Sequence, residues 1–186
     1  MINTREEFPE LLNSINAKIG VELGVLKGDF SKLLLEKWNG NKLYLIDHWS
    51  HITGLIDANN GEHNIQLDNF AHTFMNTYFH FDKCCIIKET SKDASKLFQD
   101  NSLDFIYIDA AHDFKNVTED LKTWFPKVKK GGIISGHDYA TAVFFGKNEN
   151  IKSLIEVKRA VDDFFIPLNY EIFSTKEHLP SWWVIK

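Results

Sequence analysis

Five acidic residues, Glu22, Asp47, Glu89, Asp109 and Asp138, each close a short apolar run, and His112 and His137 stand beside the last two. Carboxylates in such places can accept hydrogen bonds from a diol or hold a hard cation. An imidazole can take a proton near neutral pH. The first acid opens the segment Glu22-Leu23-Gly24-Val25-Leu26-Lys27-Gly28. Gly24 lets the backbone pass close to a ligand where a Cβ would collide. Gly28 opens a helix whose free N–H groups favour a carboxylate or phosphate. The spacing Glu-x-Gly-x-x-x-Gly differs from the Gly-x-Gly-x-x-Gly of dinucleotide binders and points to a nucleotide-type cofactor without a pyrophosphate.

Alternating strand and helix signals place these residues. After a first helix carrying Leu11, Leu12 and Ile15, strands are expected at residues 18–23, 42–47, 84–88, 103–109 and 133–136. Helices fill the gaps: residues 30–38, a helix with Leu67, Phe70, Phe74 and Tyr78 on its apolar side, a short one at 93–98, and one with Val117, Leu121, Trp124, Phe125 and Val128 at helical spacing. A sixth is expected with Ile151, Leu154, Ile155, Val161, Phe164 and Phe165 on one face. Two consecutive strands, 170–174 and 181–185, end the chain as a hairpin. Such alternation implies right-handed crossovers and a doubly wound α/β sheet covered on both faces. Ligands then bind beyond the carboxyl ends of the strands, where the acids lie.

The 186 residues suit one domain, 1–186, with 44% hydrophobic and 25% charged residues. The net charge of −5 supplies no field for nucleic acid or an anionic membrane. No apolar run approaches membrane-spanning length and no signal peptide opens the chain, so a cytoplasmic protein with no membrane partner is expected. Cys84 and Cys85 are neighbours in one strand, which points them to opposite faces and disfavours a mutual disulfide.

The segments VELGVLKGDFS, LYLIDHW, IIKETSKDASKLF, DFIYIDAAHDFKNVTEDLKTWFPKVKKGGIISGHDY and VKRAVDDF, in this order, resemble the class I S-adenosylmethionine-dependent methyltransferases. Within them they resemble the small-molecule O-methyltransferases, the catechol-type, macrolide-sugar and cephalosporin-pathway group. The resemblance implies a Rossmann-like seven-stranded sheet of order 3-2-1-4-5-7-6 with strand 7 antiparallel. It places Glu22, Gly24 and Gly28 at the cofactor turn, Ser31 on the methionine carboxylate, Asp47 on both ribose hydroxyls and Ser91 on the adenine. Trp49 is either a stacking partner for adenine or core.

An activated sulfonium needs mainly a positioned acceptor, but a hydroxyl acceptor must also lose its proton. One solution is a divalent cation, magnesium or manganese, on Asp109, His137 and Asp138. Catechol-type relatives carry an aspartate–asparagine pair where this chain has His137-Asp138; the histidine nitrogen favours softer ions such as manganese or iron. The other solution is His112 or His137 as general base, with Asp109 orienting it. Residues 50–64 and 139–150 flank the acceptor entrance, where Phe144 and Phe145 form either an apolar wall or a partner contact. A small-molecule acceptor is expected, with room for a homo-oligomer. Nucleic acid is not: the Asn/Asp-Pro-Pro-Tyr/Phe of amino-group enzymes is replaced by Asp109-Ala110-Ala111-His112. The competing readings are a catalytically silent cofactor-binding scaffold and an N-methyltransferase.

Overall fold

The computed structural model describes residues 2–145 and 151–186. Its centre is a seven-stranded sheet formed by β1 (Ile19–Leu23), β2 (Lys42–Asp47), β3 (Cys84–Lys88), β4 (Leu103–Ile108), β5 (Val128–Gly136), β8 (Phe173–Ser174) and β9 (Trp182–Ile185). The order is β3-β2-β1-β4-β5-β9-β8. The pairs from β3 to β5 are parallel, and β9 runs antiparallel to β5. This is the seven-strand order and antiparallel last strand that the family resemblance implies.

The central strands are apolar on both faces because helices cover both. One core layer holds Val21, Ile106, Ile108, Val117, Leu121, Trp124 and Phe165. Its helices are α5 (Phe114–Trp124) and α6 (Val157–Phe165). The other holds Phe8, Leu12, Leu34, Trp38, Phe105 and Tyr107, under α1 (Phe8–Ser14) and α2 (Asp29–Lys37). Trp49 belongs to this second layer: it is fully buried and its indole N–H donates to the Leu26 carbonyl at 2.8 Å, so it is core. Cys84 and Cys85 are free thiols. Among the described residues no helix is long and apolar enough to cross a membrane.

Two local expectations fail. The apolar run Ile151–Ile155 forms strand β7, paired antiparallel with β6 (Ala142–Phe145), and the helix begins only at Val157. Apolar residues at i, i+3 and i+4 over so short a run fit a strand as well as a helix, and the partner strand decides. Of the loop expected at 139–150, residues 142–145 are therefore strand, with Phe144 and Phe145 partly exposed on it; residues 146–150 lie outside the described residues.

The second failure concerns α3 (His63–Thr77). It buries Gln66, Asn69, Thr73 and Thr77, and it leaves Leu67 and Phe74, with Tyr78 just beyond, exposed. The buried set has the spacing of the apolar set displaced by one residue, about 100° around the helix. The reason is chemical. This face packs on the turn after β1, whose carbonyls need donors: the Thr73 hydroxyl donates to Leu26 O at 3.1 Å and the Asn76 amide to Lys27 O at 2.9 Å.

Candidate active site

The turn after β1 can reach the neighbouring strand ends only because residue 24 lacks a side chain. Gly24 has φ +78°, and a Cβ there would lie 2.0 Å from the Asp109 carbonyl oxygen. Gly28, also at φ +78°, precedes the first turn of α2 as expected for a helix opener. Six described residues other than glycine adopt positive φ: three asparagines, and Leu26, Trp49 and Asp138. Asparagine tolerates that region in ordinary turns. The other three follow β1, β2 and β5, so the backbone strain of this chain collects at one edge of the sheet, as it does around binding sites.

That edge carries a cavity of about 650 Å³ lined by Gly24, Asp47, Glu89, Ser91, Asp109 and Asp120, and roofed by residues 52–57. Asp47 clamps the turn: its Oδ2 accepts from the N–H groups of Val25 and Leu26, both at 2.9 Å, and its Oδ1 from Trp49 N–H at 2.9 Å. A carboxylate offers about four lone-pair positions, so roughly one stays open toward the cavity. Glu22 is fully buried beneath the turn, and the Ser31 hydroxyl donates to it at 2.6 Å. Burial pushes the Glu22 carboxyl up to about 8, against the Ser31 bond and Arg5, which favour the charged form. Ser31 is itself fully buried, so its hydroxyl serves Glu22.

Ser91 opens α4 (Ser91–Ala94), although the capping oxygen is that of Thr90. The Ser91 hydroxyl donates to Asp120 of α5 and accepts the Trp124 indole N–H at 2.9 Å. Burial pushes Asp120 up to about 7, which outweighs the Ser91 bond. A carboxyl protonated in the fold at a pH where the unfolded chain has ionised loses stability as pH rises, here from about pH 4 to about pH 7. Asp120→Asn should therefore flatten that slope and raise stability at pH 8 by about 1–3 kcal/mol. Urea denaturation of both proteins at pH 5 and pH 8 checks this; an equal difference at the two pH values would place an ionised carboxylate there throughout.

Beyond β4 and β5 the remaining candidates converge. Ligand atoms of Asp109, His137 and Asp138 lie within 4.8 Å of one another. His137 Nδ1 is 2.8 Å from Asp138 Oδ1, yet that buried oxygen has no hydrogen-bond partner among the described residues. His112 stands among three carboxylates: Nδ1 is 2.6 Å from Asp57 Oδ2, and Nε2 is 3.4 Å from Asp109 Oδ1 and 3.1 Å from Asp138 Oδ2. Burial alone would lower the His112 pKa; the bonds to Asp109 and Asp57 outweigh it and push it up to about 10. These carboxylates favour the imidazolium form of His112. Asp109 feels burial in the opposite direction, but the Arg5 guanidinium 2.7 Å away and His112 hold it well below the usual carboxylate range.

Three members of this site were not singled out from sequence. Asp120 carried a signal, because it falls between Val117, Leu121 and Trp124 on the buried face of α5, where a charge is out of place. Arg5 and Asp57 carried none: each is one charged residue in a polar stretch, brought to Asp109 and His112 across 104 and 55 residues.

The same architecture recurs in solved structures. A Staphylococcus aureus protein assigned as a caffeoyl-CoA O-methyltransferase superposes with a TM-score of 0.71 at 12% identity, over 100% of this chain and 85% of that one. An O-methyltransferase from Bacillus cereus, solved with S-adenosylhomocysteine, gives 0.68 at 13% identity over 98% and 80%. An rRNA methylase from Streptococcus thermophilus gives 0.65 at 12% over 99% and 96%. Identities this low establish a shared fold, and that fold serves small-molecule and RNA enzymes alike, so it does not uphold the exclusion of nucleic acid made from sequence. No curated protein matches the chain. A sequence model of the family described as "Methyltransferase domain" matches residues 21–139, which span the cofactor turn through His137-Asp138. With the seven-strand order and the acids at its carboxyl edge, that match settles the family: this chain belongs to the methyltransferase-domain family and is a class I, S-adenosylmethionine-dependent methyltransferase.

Proposed function

We propose that the chain transfers the methyl group of S-adenosylmethionine to a hydroxyl of a small molecule, deprotonated at the Asp109–His137–Asp138 cluster. The observation that carries this reading is the buried Asp138 Oδ1, unpartnered among the described residues, beside His137 Nδ1 and next to Asp109, which lines the cavity. Such an oxygen calls for a cation or a proton.

Adenosine occupies the large cavity, its ribose on the open side of Asp47 and its adenine by Ser91. The acceptor enters beneath residues 52–57, which Asp57 ties down through His112. As the acceptor oxygen attacks in line, the S–C bond breaks, the sulfonium becomes a thioether and a C–O bond forms. Where no cation is bound, the acceptor proton passes to His137, while Arg5 and His112 balance the charge of Asp109. A magnesium or manganese ion would be held by Asp109, His137 and Asp138, and would supply Lewis-acid lowering of the hydroxyl pKa. The donor set suits such an ion. Its net charge is modest, because Asp57, Asp109 and Asp138 already face Arg5 and His112.

Asp47→Ala is expected to weaken S-adenosylhomocysteine binding by about 1–3 kcal/mol, the scale of lost buried hydrogen bonds, and to lower the melting temperature because three backbone N–H groups lose their acceptor. Calorimetric titration measures the first effect, and unchanged affinity would remove Asp47 from the ribose.

The function itself is tested by transfer of a labelled methyl group to a panel of small hydroxyl compounds and to total RNA, with EDTA and after restoring manganese. Transfer to a hydroxyl compound, lost in Asp138→Asn, supports the reading, and sensitivity to EDTA adds the cation to it. Transfer to RNA with none to any hydroxyl compound overturns it.

A further inference from the structure

A second cavity of about 160 Å³ opens at the turn after β1, lined by Arg5, Glu22, Gly24, Lys27, Asp29 and Phe30. It shares Gly24, Leu26, Asn59 and Asp109 with the larger cavity, so the two form one path along the turn. With ribose at Asp47 and adenine at Ser91, the amino-acid end of the cofactor points into this smaller space. That end carries an ammonium and a carboxylate, and each needs an opposite partner. An ionised acid for the ammonium is at hand in Asp109.

The serine implied for the carboxylate is not free to take it. Ser31 is fully buried and its hydroxyl donates to Glu22 at 2.6 Å. Arg5 is placed for the task. One guanidinium nitrogen, Nη2, meets Asp109 Oδ2 at 2.7 Å, while Nε is buried with no hydrogen-bond partner among the described residues. The guanidinium plane is held over the Phe30 ring at 4.1 Å and near the Tyr107 ring at 5.1 Å. Both carboxylate oxygens of Glu177 accept the Arg5 backbone N–H at 3.0 Å, which pins the segment that carries it. A planar fork of donors, fixed by stacking and with a donor unused, is the geometry that grips a carboxylate through two parallel bonds. Lys27, the other cation here, has an exposed side chain on a flexible stem.

We propose that Arg5 is the anchor for the carboxylate of S-adenosylmethionine, in the place that the family motif gives to a serine. The inference rests on the cofactor reading above. Arg5 lies outside the 21–139 span of the family match, so the anchor is supplied by this chain's own N-terminal segment.

The test is calorimetric titration of the wild type, Arg5→Met and Arg5→Lys with S-adenosylhomocysteine and with its decarboxylated analogue, which keeps the adenosine, the sulfur and the amine. Arg5→Met should weaken S-adenosylhomocysteine about 10–100-fold, the scale of a charged hydrogen-bonded pair. The analogue should change by less than about threefold, on the same scale. Arg5→Lys keeps the charge and loses the fork, and should fall between; it carries the test if Arg5→Met does not fold. Equal losses for both ligands, or no loss for either, overturn the proposal, since Arg5 would then act through the fold alone. A wild type that binds neither ligand overturns the cofactor placement itself, and the anchor with it.

Discussion

Asp109→Ala should cost about 3–5 kcal/mol of folding stability and lower methyl transfer by about 10²–10⁴-fold. The stability loss follows from what the carboxylate leaves behind. Its Oδ2 accepts from Arg5 and its Oδ1 faces His112, and both cations are largely enclosed. Removing one member of a buried ion pair strands the other charge in a medium that solvates it poorly. The activity loss follows from position, since Asp109 joins the strand-four end to the cluster with His137 and Asp138.

The sign of the pH dependence is fixed by the direction of the Asp109 shift. Its folded pKa lies below the usual carboxylate value, so its contribution is complete at neutral pH and fades as pH falls through the acid range. The difference between wild type and variant, followed by urea denaturation, should therefore shrink below about pH 4. A variant as stable as the wild type at pH 7 would mean that the Arg5–Asp109 pair is not formed in solution.

Gly24→Ala is expected to be nearly as severe, about 3–5 kcal/mol, for a reason that involves no charge. An alanine at φ +78° carries the ordinary left-handed penalty of roughly 1–2 kcal/mol. Its Cβ would also stand 2.0 Å from the Asp109 carbonyl oxygen and 2.7 Å from the Ala110 Cα, backbone atoms that cannot swing aside. The turn would have to lift away from β4 and carry the Val25 and Leu26 amides off Asp47, so cofactor binding should fall with stability. Gly131 separates the two effects. It has φ +80° with nothing within 4 Å of an added Cβ, so Gly131→Ala should show the conformational penalty alone. Equal melting temperatures for the two alanine variants would show that the close approach at Gly24 is relaxed in solution.

The doubly wound sheet and the carboxyl-edge acids were legible because both follow from local pattern, whereas the strand order followed from the family resemblance. Apolar runs too short for helices alternate with helical spacings, crossovers have one hand, and a residue ending a parallel strand falls at the ligand edge whatever its neighbours do. Local pattern puts Glu22, Asp47, Asp109 and Asp138 at that edge. It misjudged α3 because an apolar stripe marks a buried face only where the partner surface is apolar, and here the partner is a turn whose carbonyls need Thr73 and Asn76. It misjudged Ile151–Ile155 because both periods fit five residues.

What the chain determined by itself is the doubly wound sheet, the tight turn that needs Gly24, and the row of acids along one edge, all consequences of residue order and backbone geometry. Tertiary structure alone decided how those acids are partnered. Ser31 is given to Glu22, Ser91 to Asp120, Arg5 to Asp109, and His112 to three carboxylates at once. Contacts between residues as many as 104 positions apart leave no trace in local spacing, and protonation in a buried cluster depends on every charge the fold brings within a few ångströms.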